Sequence, residues 1–200
     1  GGSKGIGLAV GKGFAAEGCD LHLTARTEED LRAAKGIIEQ AHGVKVQIHP
    51  LDLASPGAAE NLRQAAGEVD ILINNAGAIP GGDVLSIDES RWREAWDLKV
   101  FGYINMTRLY LDLMAARGAG VIVNITGTAG ENPDSNYVAG CAGNASLMAF
   151  SKAVGGTSID RGVRVLAVNP GPVETDRITA LLKTWAEAEF GDRERWRELT

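Results

Sequence analysis

Strand-like and helix-like patterns alternate along the chain, and this alternation constrains the fold more than any other feature. Apolar residues recur at helical spacing from Ile6 to Phe14, alternate with polar residues from Leu21 to Leu23, and return to helical spacing before Gly43. Strands that alternate with helices in this way form right-handed crossover units, which build a mostly parallel sheet covered on both faces. The sequence therefore predicts the α/β class, as a Rossmann-like doubly wound parallel sheet in a three-layer α/β/α arrangement.

The predicted elements account for most of the 200 residues. Predicted strands span residues 21–23, 44–48, 69–74, 121–125 and 163–168. Predicted helices span residues 6–18, 31–41, 88–117, 137–160 and 178–190, and a further helix is predicted to begin with Ser55 as N-cap and Pro56 as its first helical residue. The glycine-rich turn that opens the first helix should itself follow a strand, so we interpret the chain as truncated before it.

Composition and charge exclude several classes of function. Hydrophobic residues make up 44% of the chain and charged residues 23%, which is typical of one ordinary globular domain. The net charge of −6 is spread along the chain, which argues against a nucleic-acid partner. No apolar run reaches the ~18 residues of a membrane span, and Cys19 and Cys141 cannot form a disulfide framework, so we expect no membrane and a cytoplasmic location. His22, His42 and His49 lack ligand spacing, so no metal site is expected.

Four loops follow strands or would follow one: the glycine turn, the segment Asn74-Asn75-Ala76-Gly77, the loop at Thr126, and Asn169-Pro170-Gly171. In a parallel sheet, ligands bind outside the carboxyl ends of the strands, so these loops should meet at one crevice. A glycine turn before a helix can bind pyrophosphate, because the backbone approaches closely and the helix N-terminus presents unpaired N–H groups. The alternatives are close helix-on-sheet packing for the glycine turn and a plain turn for the Asn-Asn-Ala-Gly segment.

Together these motifs resemble those of the classical short-chain dehydrogenases/reductases. The resemblance runs from Gly1 to about Asp176 and rests on the glycine turn, Asp52, the Asn-Asn-Ala-Gly segment, Tyr137, and Pro170-Gly171 followed by Thr175. It implies a nicotinamide cofactor along the strand ends, with Asp52 and Leu53 near the adenine. Its implied contacts are Gly1, Ser3, Lys4, Gly5, Ile6, Gly7, Arg26, Asp52, Leu53, Asn74, Ala76, Gly77, Pro170, Gly171, Val173 and Thr175.

The resemblance also has implications for the whole chain. It implies a first and a last strand, so residues 1–200 are interpreted as a single dinucleotide-binding oxidoreductase domain truncated at both ends. It further implies a homodimer or homotetramer that forms through the two long helices, predicted at about residues 88–117 and 137–160. Trp92 and Trp96, one helical turn apart, should pack in a core or an interface.

Cofactor choice follows from the charges expected near the adenosine ribose. An acidic residue at the end of the second strand of such a fold would bind the 2′-hydroxyl of NAD, but this chain has Ala25 and Arg26 there. Lys4 would add a second positive charge near a 2′-phosphate. Both residues favour NADP(H), with NAD possible, and the alternative is that both are solvated surface charges.

The catalytic residues match the family pattern only in part. The resemblance implies a tetrad of Asn, Ser, Tyr and Lys, of which only Tyr137 is present, while Lys99, Gly127 and Cys141 occupy the other positions. A phenol with a pKa of about 10 needs a nearby cation to exchange protons near neutral pH, and a cysteine cannot supply it. We therefore hypothesise that Lys99 is a relocated catalytic lysine, the alternative being a surface charge. Cys141 is interpreted as a small buried thiol rather than a nucleophile.

Thr126 or Thr128 could supply the hydroxyl that Gly127 lacks. The alternative for either threonine is a hydrogen bond to backbone at the strand end. The sequence thus predicts an oxidoreductase that moves a hydride between NADP(H) and a carbonyl or secondary alcohol, with Tyr137 as proton relay. The rival interpretation is a cofactor-binding protein that has lost catalysis and has a regulatory or structural role.

Substrate specificity is expected in two segments, one after Thr175 and the other the loop of residues 78–85. Ile178, Leu181, Leu182 and Trp185 could form an apolar wall, although a plain amphipathic helix would have the same pattern. A moderately apolar ketone or alcohol is therefore favoured over a polyol.

Overall fold

Parallel strands and helices alternate through the structure, as the sequence predicts. The computed structural model describes residues 1–199, apart from the side chains of residues 177 and 188. The strands are β1 Leu21–Ala25, β2 Val46–Pro50, β3 Ile71–Asn74, β4 Gly120–Ile125 and β5 Val163–Val168. The helices are α1 Gly5–Ala16, α2 Glu28–His42, α3 Ala58–Ala66, α4 Glu89–Trp96, α5 Gly102–Arg117, α6 Val138–Ser158 and α7 Asp176–Phe190.

The strands form two parallel groups. β1 pairs with β2, and β4 lies between β3 and β5. A cavity of about 590 Å³ is lined by β1, β3, α1 and α5. This arrangement brings the carboxyl ends of β1 and β3 to either side of the glycine turn.

Helices cover both faces of the strands. Leu31 and Ile38 of α2 are fully buried with Leu23 and Val46, in a core that α1 also contacts. A second core packs Tyr110 and other residues of α3 and α5 against β4 and β5. Each fully buried aliphatic side chain contributes about 1.5–3 kcal/mol to folding. The predicted Rossmann-like α/β fold is confirmed.

One predicted helix start is wrong. Ser55 and Pro56 do not begin a helix, because Gly57 adopts a left-handed conformation with φ of 74° and serves as the N-cap of α3. Residues 55–58 instead form a turn closed by the N–H of Ala58 and the carbonyl of Ser55 at 3.1 Å. A glycine that can adopt positive φ allows the chain to turn before the helix begins.

The long helix predicted at 88–117 contains an irregular turn. Asp88 caps its start by accepting a hydrogen bond from the N–H of Arg91 at 2.8 Å. Between α4 and α5, residues Asp97–Phe101 form a π-helical turn that includes Lys99. Such turns occur frequently at functional sites, because they redirect the side chains around them. Here the turn packs beside α6, as does Trp96, whose indole N–H donates to the carbonyl of Ala139 at 3.1 Å.

The described residues divide into two compact units, Gly1–Pro170 and the residues from Gly171 onward. In the second unit, the hydroxyl of Thr175 caps α7 by accepting from the N–H of Ile178 at 3.3 Å. A 3₁₀ segment, Arg193–Leu199, packs on α7, where Lys183 and Glu194 form an ion pair of 2.9 Å. Among the described helices of both units, none has the length and apolarity to cross a bilayer.

Candidate active site

The glycine turn is held against the ends of β1 and β3 by hydrogen bonds to its backbone. The side-chain amide of Asn75 donates to the carbonyl of Gly1 at 2.9 Å, and the N–H of Gly2 donates to the carbonyl of Thr24 at 3.0 Å. A Cβ added to Gly7 would lie 1.8 Å from the carbonyl oxygen of Gly1. No side chain fits there, so the close approach of backbone that a pyrophosphate site requires is built into this turn.

The remaining residues of the turn lie where the sequence predicts them. Gly1 and Ser3 precede α1, Lys4 is its N-cap in extended conformation, and Gly5, Ile6 and Gly7 form its first turn. The turn and the Asn-Asn-Ala-Gly segment, which lie far apart in sequence, are therefore in direct contact.

A second cavity, of about 180 Å³, lies at the same edge of the strands. Its lining includes Arg26 after β1, Asp52 after β2, and Ala78 and Pro80 after β3. Arg91 of α4 lines it as well, a residue that sequence reasoning missed because nothing in its spacing relates it to Arg26. Asp52 is partly fixed by the N–H of Ala54, which donates to its carboxylate at 3.0 Å. The cavity thus combines two guanidinium groups and the carboxylates of Asp52 and Glu94 with the loops predicted to face the cofactor. Leu53 lines the larger cavity instead.

Lys4 forms an ion pair with an acidic side chain. Its ammonium lies 2.8 Å from the carboxylate of Asp30 on α2, and 65% of its side chain is exposed. Asp30 was not among the predicted site residues. An exposed pair of this kind contributes little to stability, so the ammonium can also face an anion at small cost.

Asn74 belongs to a buried polar network. Its amide donates to Asn124 Oδ1 at 2.8 Å and to the hydroxyl of Thr107 at 3.2 Å. Asn124 in turn donates to Ser151 Oγ at 2.9 Å, and the hydroxyl of Ser151 donates to the carbonyl of Leu147. This network joins β3, β4, α5 and α6. Among the other predicted residues after β3, Ala76 lines the larger cavity and Gly77 lies over Lys99.

Lys99 is buried at the ends of β3 and β4, with 7% of its surface exposed. Its ammonium donates a hydrogen bond of 2.9 Å to the carbonyl oxygen of Thr126. A Cβ added to Gly77 would lie 2.9 Å from Cδ of Lys99, so the lysine chain runs directly beneath the Asn-Asn-Ala-Gly segment. The alternative of a surface charge does not apply.

The two candidate threonines differ in their surroundings. The hydroxyl of Thr126 lies 3.1 Å from the carbonyl oxygen of Val168 and makes a short hydrogen bond with Asn169 Oδ1. Asn169 also donates from Nδ2 to Glu131 at 2.8 Å. Thr126 therefore makes the strand-end hydrogen bond that was its alternative role. Thr128 is half-buried, and its backbone N–H donates to the carbonyl of Pro170 at 3.0 Å.

Tyr137 is the N-cap residue of α6, and its ring lies over Gly140. A Cβ added to Gly140 would lie 2.1 Å from two ring atoms, so only glycine leaves room for this ring position. The backbone around Tyr137 bridges to Gly82, since the N–H of Gly82 donates to Asn136 and the N–H of Val138 donates to Gly82. The loop predicted to contact substrate is thus anchored next to the predicted proton relay.

His22 and His49 lie side by side on the paired strands β1 and β2. His22 Nδ1 and His49 Nε2 are 2.9 Å apart, and the rings stack at 5.2 Å with an interplanar angle of 11°. Burial lowers the pKa of His22, an effect that Asp20 opposes. Burial likewise lowers the pKa of His49, and the nearby charge of His22 lowers it further. Within residues 1–199, no group of three or more potential metal ligands is found.

The sequence model for short chain dehydrogenases matches residues 1–185. The chain belongs to the short chain dehydrogenase family. It is 31% identical over 185 residues to the 3-oxoacyl-[acyl-carrier-protein] reductase FabG of Escherichia coli. The alignment covers 90% of this chain and 74% of that protein. It is also 31% identical over 198 residues to a galactitol 2-dehydrogenase (L-tagatose-forming) of Cereibacter sphaeroides, covering 94% of this chain and 77% of that protein.

A solved structure of this family supports the same assignment. The L-sorbose reductase of Gluconobacter frateurii, solved with NADPH and L-sorbose, superposes with a TM-score of 0.87 at 30% identity, covering 100% of this chain and 76% of that one. This short chain dehydrogenase is therefore an oxidoreductase that acts on CH–OH and C=O groups.

In this short chain dehydrogenase, Cys141 contacts the backbone of the loop before Tyr137. Its sulfur accepts a hydrogen bond from the N–H of Asp134 at 3.2 Å and lies 3.6 Å from the carbonyl oxygen of the same residue. The thiol is buried, as predicted, and is not part of a disulfide. It fastens the loop before Tyr137 to α6.

The last predicted cofactor contacts lie at the boundary of the two compact units. Pro170 ends the first unit, while Gly171, Val173 and Thr175 belong to the second.

Proposed function

We propose that the protein is an NADP(H)-dependent oxidoreductase that moves a hydride between the nicotinamide and a carbonyl or secondary alcohol, with Tyr137 as proton relay. The observation that carries this proposal is the buried ammonium of Lys99 at the ends of β3 and β4, bonded to Thr126. Burying a charge is costly unless it is paired or used, and catalytic sites are where such charges are found.

The residues present fit a dinucleotide. The backbone packs closely at Gly7 and Gly1, where an added Cβ would lie 1.8 Å from the Gly1 carbonyl oxygen and 2.9 Å from Cα of Ala76, respectively, at the N-terminus of a helix of 12 residues. Backbone N–H groups and the helix dipole at such a terminus favour a pyrophosphate. Gly1, Ser3, Gly5, Ile6 and Gly7 would hold it, with Asn74, Ala76 and Gly77 beside the ribose. The remaining predicted contacts are Pro170, Gly171, Val173 and Thr175. When bound, the nicotinamide supplies or accepts the hydride.

The preference for a 2′-phosphate is proposed from charge. Arg26 is exposed after β1, where it lines the smaller cavity together with Arg91, and Lys4 stands at the start of α1. Guanidinium groups bind phosphate through paired hydrogen bonds. The structure in which the sorbose reductase holds NADPH is consistent with this choice, and NAD is the alternative.

In the direction of reduction, the hydride goes to the carbonyl carbon and a proton goes to the carbonyl oxygen. We assign that proton to the hydroxyl of Tyr137, held above Gly140 at the start of α6. A nearby cation stabilises the phenolate that remains, and Lys99 is the proposed source of that charge. Thr128, or Thr126 after exchange of its present hydrogen bonds, is the proposed hydroxyl donor to the substrate oxygen.

The substrate is proposed to be a moderately apolar carbonyl compound or alcohol. Val84 and Leu85 are exposed by 66% and 93% in the loop anchored at Tyr137. Exposed apolar side chains next to a polar site can cover an apolar ligand.

We also propose a cytoplasmic homodimer or homotetramer that associates through α4–α5 and α6. Phe101, in the π-helical turn between α4 and α5, and Ile159, just after α6, are exposed by 50% and 54%, and exposed apolar side chains there suit such an interface. Light scattering coupled to size-exclusion chromatography measures the assembly directly.

The test is a screen of ketones and alcohols with NADP(H) and NAD(H), following the absorbance of the reduced cofactor. Lys99→Met should lower kcat by about 10²–10⁴-fold, the usual contribution of acid–base assistance, with unchanged cofactor affinity. Methionine has similar length, and replacing a buried charge by an apolar group is often tolerated. Lys152→Met, at an exposed position of α6, is the control. Unchanged turnover in Lys99→Met would remove Lys99 from the relay, and tight cofactor binding without any turnover would favour the non-catalytic alternative.

A further inference from the structure

Asn144 is a buried side chain whose carboxamide oxygen makes no hydrogen bond within the described residues. It lies on α6 with 3% of its surface exposed, and its Oδ1 has no hydrogen-bond partner among residues 1–199. Most buried polar atoms in proteins are paired, so this amide is not held in place by a complete set of hydrogen bonds of its own. Its oxygen can only accept a hydrogen bond, and the donor of the amide is Nδ2. An apolar residue would fill the same space without leaving a polar atom unpaired.

The amide of Asn144 fills the space next to Gly127. Gly127 follows Thr126 at the end of β4 and has φ of 157°, a conformation that disfavours other residues. A Cβ built there would lie 3.0 Å from Nδ2 of Asn144 and 3.5 Å from its Cγ. The carboxamide therefore lies next to the place where a side chain at position 127 would begin. It brings the N–H₂ donor of Asn144 to the end of β4, where Gly127 has no side chain of its own.

The same amide is aligned with Tyr137 along α6. The ring of Tyr137 lies over Gly140, and Asn144 follows Gly140 by four residues, which places the two on one face of the helix. On the other side, the 3₁₀ segment Thr128–Gly130 packs tightly on α6, since a Cβ at Gly130 would lie 2.9 Å from the backbone carbon of Asn144. Asn144 thus lies between the loop after β4 and the face of α6 that holds the tyrosine.

We propose that the Asn144 carboxamide donates a hydrogen bond to the reacting oxygen of the substrate, in the place that glycine at position 127 leaves open. This inference rests on the proposed carbonyl chemistry. As the hydride reaches the carbonyl carbon, negative charge develops on the oxygen, and a fixed N–H donor stabilises that charge. The amide is neutral and does not titrate, so its contribution is independent of pH.

The first variant is Asn144→Leu, which keeps the branched shape, is somewhat larger, and removes both polar atoms. We expect kcat to fall by about 10²-fold, the usual effect of losing one donor to a developing oxyanion. Cofactor affinity, measured by quenching of tryptophan fluorescence, should be unchanged. A purely structural asparagine predicts the reverse: Asn144→Leu would raise the melting temperature and leave kcat as in the wild type, and that result would overturn the proposal.

A matched pair keeps the test decisive if the leucine variant folds poorly. Asn144→Ala and Asn144→Ser remove almost the same volume and differ by one hydroxyl donor. The serine variant should keep at least about tenfold more kcat than the alanine variant, since a single hydrogen bond to a charged group differs by at least that factor. Equal kcat values in the two would overturn the proposal.

Ser158→Ala is the control for buried polar atoms in general. The hydroxyl of Ser158 also has no partner in the described residues, but it lies at the far end of α6, about 21 Å along the helix from Asn144. Its replacement should leave kcat unchanged. Failure of the proposed function can be distinguished from failure of this inference. A wild-type chain that turns over no carbonyl or alcohol disproves both before any variant is made. An active wild type with an equally active Asn144→Leu disproves only the role of Asn144.

Discussion

The glycine turn and the neighbourhood of Tyr137 are constructed by different means. In the turn, the backbone carbonyl of Gly1 and the side-chain amide of Asn75 leave no room for a side chain at Gly7. Around Tyr137, the backbone layout of β4 and α6 is retained, but Lys99, Gly127 and Cys141 stand where the family resemblance implies other residues. A site defined by backbone can be recognised from its glycines, whereas a site defined by side chains can move its groups to other elements.

The largest effect is expected at the backbone-defined region. Gly7→Ala places a methyl group 1.8 Å from the carbonyl oxygen of Gly1, which the turn cannot absorb without shifting. We expect loss of measurable cofactor binding by isothermal titration. Gly13→Ala is the matched control in the same helix, because nothing lies within 4 Å of its added Cβ. That control should stabilise the protein by about 0.8–1 kcal/mol, and normal cofactor binding by Gly7→Ala would show that the turn is not backbone-defined.

The next prediction concerns the buried network that joins β3, β4, α5 and α6. Asn74→Ala leaves Asn124 and Thr107 without their buried partner, so we expect the free energy of unfolding to fall by about 1–3 kcal/mol. Urea unfolding followed by circular dichroism measures this change. Asn61→Ala, at an exposed position of α3, should leave stability within about 0.5 kcal/mol. Equal effects of the two substitutions would mean that the network does not stabilise the fold.

Arg26 tests whether the proposed cofactor site, besides its backbone contacts, also uses a side chain to recognise the 2′-phosphate. Arg26→Ser should weaken NADPH binding by about 10-fold while leaving NADH binding unchanged, because one charge-assisted contact to the 2′-phosphate is lost. Arg91→Ser at the same cavity should have a similar or smaller effect. The ratio of the two dissociation constants, measured in the same salt, is the readout. Parallel losses for both cofactors would assign these arginines a structural role.

The smallest effect is expected at the histidine pair, which lies in neither region. Burial lowers the pKa of His22 and His49 in the folded chain below the ordinary value of 6.5. The unfolded chain therefore binds more protons just below that pH, and stability falls as the pH falls through it. The melting temperature should drop between pH 7 and about pH 5.5, by less in His22→Gln than in the wild type. His42→Gln, at the exposed end of α2, should keep the full drop.

Sequence periodicity predicts the strands and most of the helices, because local propensity and burial agree there. The strand Val163–Val168 begins and ends where predicted, and Gly43 ends α2 in left-handed conformation. The start of α3 was misplaced because Ser-Pro is a common helix start, while the left-handed Gly57 that follows is visible only in the structure. Helix starts depend on single backbone angles, which composition does not reveal.

In the candidate site, too, some features are predicted by the sequence and others are seen only in the structure. The sequence predicts that the glycine turn and the Asn-Asn-Ala-Gly segment lie together, because both are at strand ends, and Asn75 makes that contact in the structure. The burial of Lys99, the pairing of His22 with His49, and the position of Asn144 depend on which helices pack on which strands, and their sequence separations give no local signal. Side chains that meet only in three dimensions are therefore found from the structure and not from motifs.

The π-helical turn Asp97–Phe101 links α4, which carries Arg91, to α5, and it contains Lys99. A turn closed by i to i+5 hydrogen bonds holds about one residue more than an α-helical turn. Deleting one residue there would restore a plain α-helix and rotate α4 by about 100° relative to α5. The face of α4 that carries Arg91 would then swing away from Arg26, and Lys99 would lose its direction toward Thr126. A single inserted residue thus sets the orientation of a proposed cofactor contact and of a proposed catalytic amine at the same time.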